Sequence, residues 1–243
     1  MKSIETIIGR AVILICLVDR CSLEDNQIGN NEYSLEEREI ERQAIIEWIN
    51  ENAYSQFATQ YEMNIFETPI KMKSNLKMLE EKMKYEAIEP LLWISGLIDT
   101  ISDYEDFVTI DYGPVVDAGK KDHDSIGIVR KGRIRATNEI ADSCKNAAIW
   151  FWRSKQWNQF PSSKGIVHRV GSDLGSDYEA ILKKNGYDLF SADLIIHGDC
   201  YYKIPPYEQK KMYMISKWRY YAFLWALDNN LKWEDNPYML EKR

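Results

Sequence analysis

The sequence predicts a mainly α fold, a single helical domain over residues 1–243 with a small β-hairpin near residues 194–203. Three observations predict it. Apolar residues recur at three- and four-residue spacing in most hydrophobic segments, the period of a helix with one face in a core. Helix start signals precede several of these segments: Ser34 with Glu37 and Ser176 with Glu179 have capping-box spacing, and Pro205-Pro206 opens the last one. Leu194-Ile195-Ile196 and Cys200-Tyr201-Tyr202 flank the turn residues His197-Gly198-Asp199, the pattern of a short hairpin.

In chain order, Ile4, Ile7, Ile8, Ala11, Val12, Leu14, Ile15 and Val18 give a first helix that is apolar on more than one side, hence central. Residues 22–33 are polar, with Gly29 and three asparagines, and read as a loop. Ser34 then opens a helix whose inward stripe is expected to be Ile40, Ala44, Ile45, Trp48 and Ile49. A short helix from about Ser55 carries Phe57, Tyr61, Ile65 and Phe66 and stops near Pro69. Another runs from Leu76 to Leu97 and should be kinked or divided at Pro90, which has no backbone donor.

Residues 99–133 are irregular and charged, acidic first and basic later. Ile140, Ala141, Cys144, Ala147, Ala148, Phe151 and Trp152 form the cleanest helical stripe, with small residues that allow a neighbour to approach closely. Residues 154–175 are loop-like, and the helix opened by Ser176 ends at Asn185-Gly186. The final long helix carries Met212, Ile215, Trp218, Ala222, Phe223 and Ala226. Residues 155–205 read as a weaker loop and hairpin module within the same domain.

Composition bounds the function. With 45% hydrophobic and 28% charged residues in a chain of 243, the protein is globular rather than disordered. A net charge of −7 argues against a dedicated nucleic-acid binder, whose domain is usually basic. Cys16, Cys21, Cys144 and Cys200 show neither a C-x-x-C pair nor zinc-site spacing, so reduced core thiols, a reducing cytoplasm and no metal or cofactor are expected. The apolar run Ala11–Val18 is too short to span a membrane and lacks a cleavage site, so no membrane association is expected.

Four segments in order carry a resemblance. They are Arg10-Ala11 with its apolar continuation, Glu86-Ala87-Ile88-Glu89-Pro90-Leu91-Leu92-Trp93-Ile94-Ser95-Gly96-Leu97, the helix from Arg135 to Arg153, and Trp218–Trp225 followed by Trp233. Together they resemble the bacterial domain-of-unknown-function family 4272. The chain departs from that pattern at Lys217-Trp218, where an acidic residue is expected before the arginine, and at Glu234-Asp235. The resemblance implies a mostly helical fold and no particular activity.

Recognisable catalytic machinery is missing. His123 sits between Asp122 and Asp124, but adjacent side chains do not easily face one ion. His197, Asp199 and Cys200 are read as turn and strand residues, although a Cys–His pair with His168 nearby has nucleophilic chemistry open to it. Gly171–Ser176 lacks the lysine of a phosphate loop. Arg130, Lys131, Arg133 and Arg135 stand just before a helix, where their charge opposes its dipole, so either Glu139 and the acidic 99–111 segment neutralise them or they meet an anionic partner.

The most informative residues are charges on apolar helices: Arg10, Glu86, Glu89 and Arg219. Buried charges must pair, so all four are expected in one network if the first, middle and last helices pack together. The leading functional expectation is a non-catalytic protein-binding domain, such as an immunity or inhibitor protein for a bacterial toxin, using Asp103, Glu105 and Asp106 to steer a basic protein partner. The alternative is an enzyme or small-molecule binder with a charged pocket lined by Arg10, Glu86, Glu89 and Arg219. A third is an oligomeric structural protein, since eight Trp and fifteen Tyr exceed what a minimal core requires.

Overall fold

The computed structural model describes residues 1–24, 27–28, 31–71, 81–108, 132–159, 176–184, 189–190, 193–196 and 198–235. Helix α1 (Ile4–Ser22) is capped by Ser3, whose hydroxyl accepts from the Thr6 N–H. Every residue from Ile7 to Leu17 is buried, as expected for a helix apolar on several sides. Gly9 lies where the Phe57 ring crosses α1: a Cβ there would stand 2.3 Å from the ring, so only glycine allows this packing.

Residues 22–33 hold more than a loop. Strands β1 (Gln27–Ile28) and β2 (Asn31–Glu32) pair antiparallel, Gln27 with Glu32 and Ile28 with Asn31. The sequence carried that signal in Gly29-Asn30 between them.

Helix α2 (Leu35–Glu51) has the predicted capping box of Ser34 and Glu37, but its faces are reversed. Ile40 is 61% exposed and Leu35 48%, while Arg38 and Arg42 are 2% and 3% exposed. Only Ile49 of the predicted stripe is fully buried, with Ile45 and Trp48 half-buried and Ala44 outside. The reason is the end of two neighbouring helices. The last carbonyls of a helix lack intrahelical donors. Arg38 donates to the carbonyl of Leu23, the C-cap of α1, at 3.0 Å. Arg42 donates to that of Phe66, in the last turn of α3, at 2.7 Å. Arg20, from α1, donates to the Thr68 carbonyl at 2.8 Å. A hydrophobicity pattern cannot register this demand.

A 3-10 turn at Tyr54–Phe57 leads into α3 (Gln60–Glu67), which starts later than predicted, at a capping box of Thr59 and Glu62. A second 3-10 turn, Met83–Ala87, runs into α4 (Ile88–Ile94). The division therefore falls just ahead of Pro90, which occupies the first turn of α4, where its missing N–H would have no intrahelical acceptor. Helix α4 ends at Gly96, in the left-handed region at φ 69°. The Gly96 N–H reaches the Trp93 carbonyl and the Leu97 N–H the Leu92 carbonyl, the two bonds of a Schellman ending.

Helix α5 (Thr137–Gln159) buries Ile140, Cys144, Ala147, Ala148 and Phe151 of the predicted stripe, with Ile149 and Trp150 added. Its most extensive contact is with α7 (Pro206–Leu227), which begins at Pro205-Pro206 as expected. Helix α6 (Ser176–Lys184) packs on α5. Strands β3 (Leu189–Phe190), β4 (Asp193–Ile196) and β5 (Asp199–Cys200) form an antiparallel order β3-β4-β5, so the predicted hairpin is present with a further strand on its outer side. The fold is mainly α. The segment Met83–Ile94 touches both α1 and α7, and so joins the two halves of the core.

Candidate functional site

Glu86 stands on the Met83–Ala87 turn, Glu89 in the first turn of α4 and Arg219 on α7. Packing of α7 on these elements brings the three together, as the sequence predicts. The Arg219 Nε donates to Glu86 Oε2 at 2.9 Å, and its NH2 lies 3.5 Å from Glu89 Oε2, all three side chains being 0% exposed. The guanidinium also donates to the carbonyls of Ser102, Asp103 and Asp106, and stacks over the Tyr104 ring at 5.1 Å. The second oxygen of each carboxylate is bound as well. Glu86 Oε1 accepts from the Val108 N–H at 3.0 Å, and Glu89 Oε1 from the N–H and hydroxyl of Ser102. Burial pushes the Glu86 carboxyl above its usual range, and Arg219 and the Val108 N–H offset only part of that.

Arg10 does not join this cluster. It forks onto Glu62 in α3, donates to the Phe57 carbonyl at 2.8 Å and lies 4.4 Å from the Trp233 ring centre. Lys84 approaches Glu62 at 4.0 Å and bonds Glu81. Burial would raise the Glu62 carboxyl, but Arg10, Lys84 and the Thr59 N–H outweigh it and hold it below the usual range. The four predicted charges thus occupy two networks. Glu62 was the residue missed. Its signal was the T-x-x-E spacing from Thr59, which marks a helix start but not that the same carboxylate also faces α1.

Arg10, Glu62, Glu86, Glu89 and Arg219 all have almost fully buried side chains. What the Arg219 cluster does is order the segment above it. Arg219 takes three carbonyls of residues 102–106. Arg135 takes those of Trp93, Ile98 and Asp99. With its carbonyls turned in to two guanidiniums, the segment 99–108 turns carboxylates out. Asp103 and Asp106 are exposed, Glu105 is half-buried, and the Asp99 side chain is fully open. Asp106 lies 3.4 Å from Lys211 and stays 80% exposed. Beside this loop is a cleft of about 260 Å³ lined by Trp93, Ile101, Asp103, Tyr104, Ser143 and Asn146.

Of the basic run, Arg135 lies 4.0 Å from the exposed Asp99 carboxylate. Asp111, His123, His168, His197, Arg130, Lys131 and the Gly171–Gly175 loop lie outside the described residues. Among the described residues no three His, Cys, Asp or Glu side chains cluster as a metal site, and no helix is long and apolar enough to cross a membrane. All four cysteines are buried and none is in a disulfide. Burial pushes the Cys21 and Cys144 thiols up to about 12, far from a reactive thiolate.

Comparison with known proteins adds one match. The family described as Domain of unknown function (DUF4272) matches residues 1–172, a stretch that holds Arg10, Glu62, Glu86, Glu89 and the acidic loop and stops short of Arg219. No curated protein and no solved structure matches the chain.

Proposed function

The chain belongs to the DUF4272 family, and from its own geometry we propose that it is a non-catalytic protein-binding domain that engages a basic protein partner through the loop 99–108, as an inhibitor or immunity protein of the reducing cytoplasm would. One observation carries this reading: the loop backbone is pinned by Arg219 and Arg135 while the carboxylates of Asp99, Asp103 and Asp106 stand exposed. Binding residues on a loop held by a rigid scaffold lose little entropy on association. Exposed like charges also raise the encounter rate with an oppositely charged surface. The buried thiols are the support for a reducing compartment.

The test is kinetic. A partner isolated with the full chain is immobilised, and association is measured from low to moderate salt. Replacing Asp103 and Asp106 with Asn and Glu105 with Gln should slow association about 10-fold at low salt and flatten its salt dependence, because exposed charges act mainly on the on-rate. An unchanged on-rate at low salt would remove the acidic loop from the interface. The cleft beside the loop supports a second reading, a small-molecule binder, because the Asn146 Oδ1 at its wall has no hydrogen-bond partner. Under that reading Ser143→Ala would abolish ligand protection in a thermal-shift screen and leave association with the protein partner intact.

A further inference from the structure

The cleft beside the acidic loop has walls of two kinds. Trp93, Ile101 and Tyr104 supply apolar surface. Ser102, Asp103 and Asn146 supply polar atoms, and the network beneath them sets what those atoms offer. The Ser102 hydroxyl donates its one proton to the buried Glu89 Oε1 at 2.6 Å, so towards the cleft that oxygen has lone pairs only. Asp103 is the charged residue of the lining: Arg219 takes its backbone carbonyl, and its exposed carboxylate only accepts. The Asn146 Oδ1 is buried and has no hydrogen-bond partner. A buried acceptor left unmade is costly, and the amide torsion of an asparagine is broad, so this oxygen can turn to a donor entering the cleft. Ser143, one turn earlier on α5, has a hydroxyl that serves either way.

Acceptors around a negative charge call for a ligand that is cationic and only donates. Among protein side chains that means arginine or lysine. An anion would meet Asp103, and a carbonyl group would leave the acceptors unmade. A guanidinium suits the site better than an ammonium, because its fork of N–H groups serves acceptors on several walls and it is less strongly hydrated. The neighbouring cations are already engaged, Arg219 with Glu86 and Glu89, Arg135 with the carbonyls of Trp93, Ile98 and Asp99. At about 260 Å³ the cleft is smaller than the roughly 300–1,000 Å³ of sites for drug-sized ligands. A single side chain is the better match, its apolar stem lying on apolar walls and its head on the polar ones. We infer that the cleft seats one arginine side chain of a protein partner, its methylenes against Trp93, Ile101 and Tyr104 and its guanidinium on Asp103, Ser102 and Asn146. This rests on the reading of the loop 99–108 as the partner-facing surface, and gives that surface an anchor.

The probe is N-acetyl-arginine amide, titrated into the full chain carrying fluorotryptophan and read by fluorine NMR, with the Trp93 signal identified by its loss in Trp93→Phe. The probe should shift that signal saturably. N-acetyl-norleucine amide, which keeps a stem and lacks the charge, should bind about 10-fold more weakly or worse, and N-acetyl-glutamate amide should not bind. Asn146→Leu should weaken arginine binding about 5-fold or more, as loss of a hydrogen bond to a charged group does. Its melting temperature should not fall, since the oxygen it removes has no partner. Asp103→Asn, an exposed change, should weaken binding about 3-fold and decides the matter if Asn146→Leu fails to fold. The inference is overturned by the absence of a saturable shift, by norleucine or glutamate compounds that bind as tightly, or by parental affinity in both folded variants. A lysine amide bound as tightly as the arginine one would overturn the assignment to a guanidinium. Free arginine bound about 10-fold more tightly than the capped form would make the occupant a free metabolite and overturn the assignment to a protein side chain, whereas equal binding supports it. The protein partner takes no part in this titration, so its failure is distinct from failure of the loop reading, which shows as an unchanged on-rate.

Discussion

Replacing Arg219 with Ala tests whether the buried cluster is a structural device. The change strands Glu86 and Glu89, both 0% exposed, without the cation that faces them. Breaking a buried pair by removing one partner costs about 3–5 kcal/mol. The carbonyls of Ser102, Asp103 and Asp106 add little, because they are part-buried and water can replace the lost donors. Protonation sets a ceiling on the charge penalty. From an ordinary carboxyl value of 4.5, neutralising one stranded glutamate at pH 7 costs about 3.4 kcal/mol at about 1.36 kcal/mol per unit. The expected loss at pH 7 is therefore about 3–4 kcal/mol, a large share of a typical 5–15 kcal/mol total. The sign of its pH dependence follows. In the variant the folded carboxyl value lies further above the unfolded one, so stability is gained as pH falls and lost as pH rises through that window. The deficit relative to the parent should shrink markedly between pH 7 and pH 5. Urea unfolding at both pH values, with exposed Lys210→Ala as a control expected within about 0.5 kcal/mol, measures it. A midpoint equal to the parent's at pH 7, or a deficit equal at the two pH values, would refute the reasoning.

The other expectations are more local. Glu62→Gln should remove part of the acid limb of the stability curve: the lowered Glu62 value contributes stability that is complete above 4.5 and lost as pH falls through its folded value. A variant whose acid transition overlays the parent's would contradict this. Gly96→Ala should cost about 2–3 kcal/mol, because it combines a left-handed φ with a Cβ placed 2.7 Å from the Arg133 carbonyl, whereas Gly198→Ala, at φ 85° with open space around it, should cost about 1 kcal/mol. Equal melting temperatures for the two would show that the close approach to Arg133 is not tight. Cys21 and Cys144, with thiols pushed up to about 12, should resist iodoacetamide at pH 8 in the folded protein and react once it is unfolded in urea. Rapid labelling of either in the native state, located by peptide mass, would contradict their burial.

What the sequence determined by itself was whatever depends on residues close together in the chain. Apolar spacing located α1, α5 and α7, since a 3.6-residue period needs no knowledge of what the face meets. Ser34 with Glu37 and Pro205-Pro206 located helix starts, because caps act within one turn. Burial of Arg219 with Glu86 and Glu89 was legible as well, since charges inside apolar stripes must find partners. Tertiary structure decided which partners. Arg10 went to Glu62 on α3, while Glu86 and Glu89 were taken by Arg219 on α7. The orientation of α2 also lay beyond its pattern. The carbonyls of Leu23 and Phe66 needed donors, and Arg38 and Arg42 were turned inward to supply them, which left Leu35 and Ile40 in solvent. Hydrophobic periodicity counts apolar area and is blind to unsatisfied carbonyls at the ends of neighbouring helices, and those carbonyls fixed the surface this protein presents.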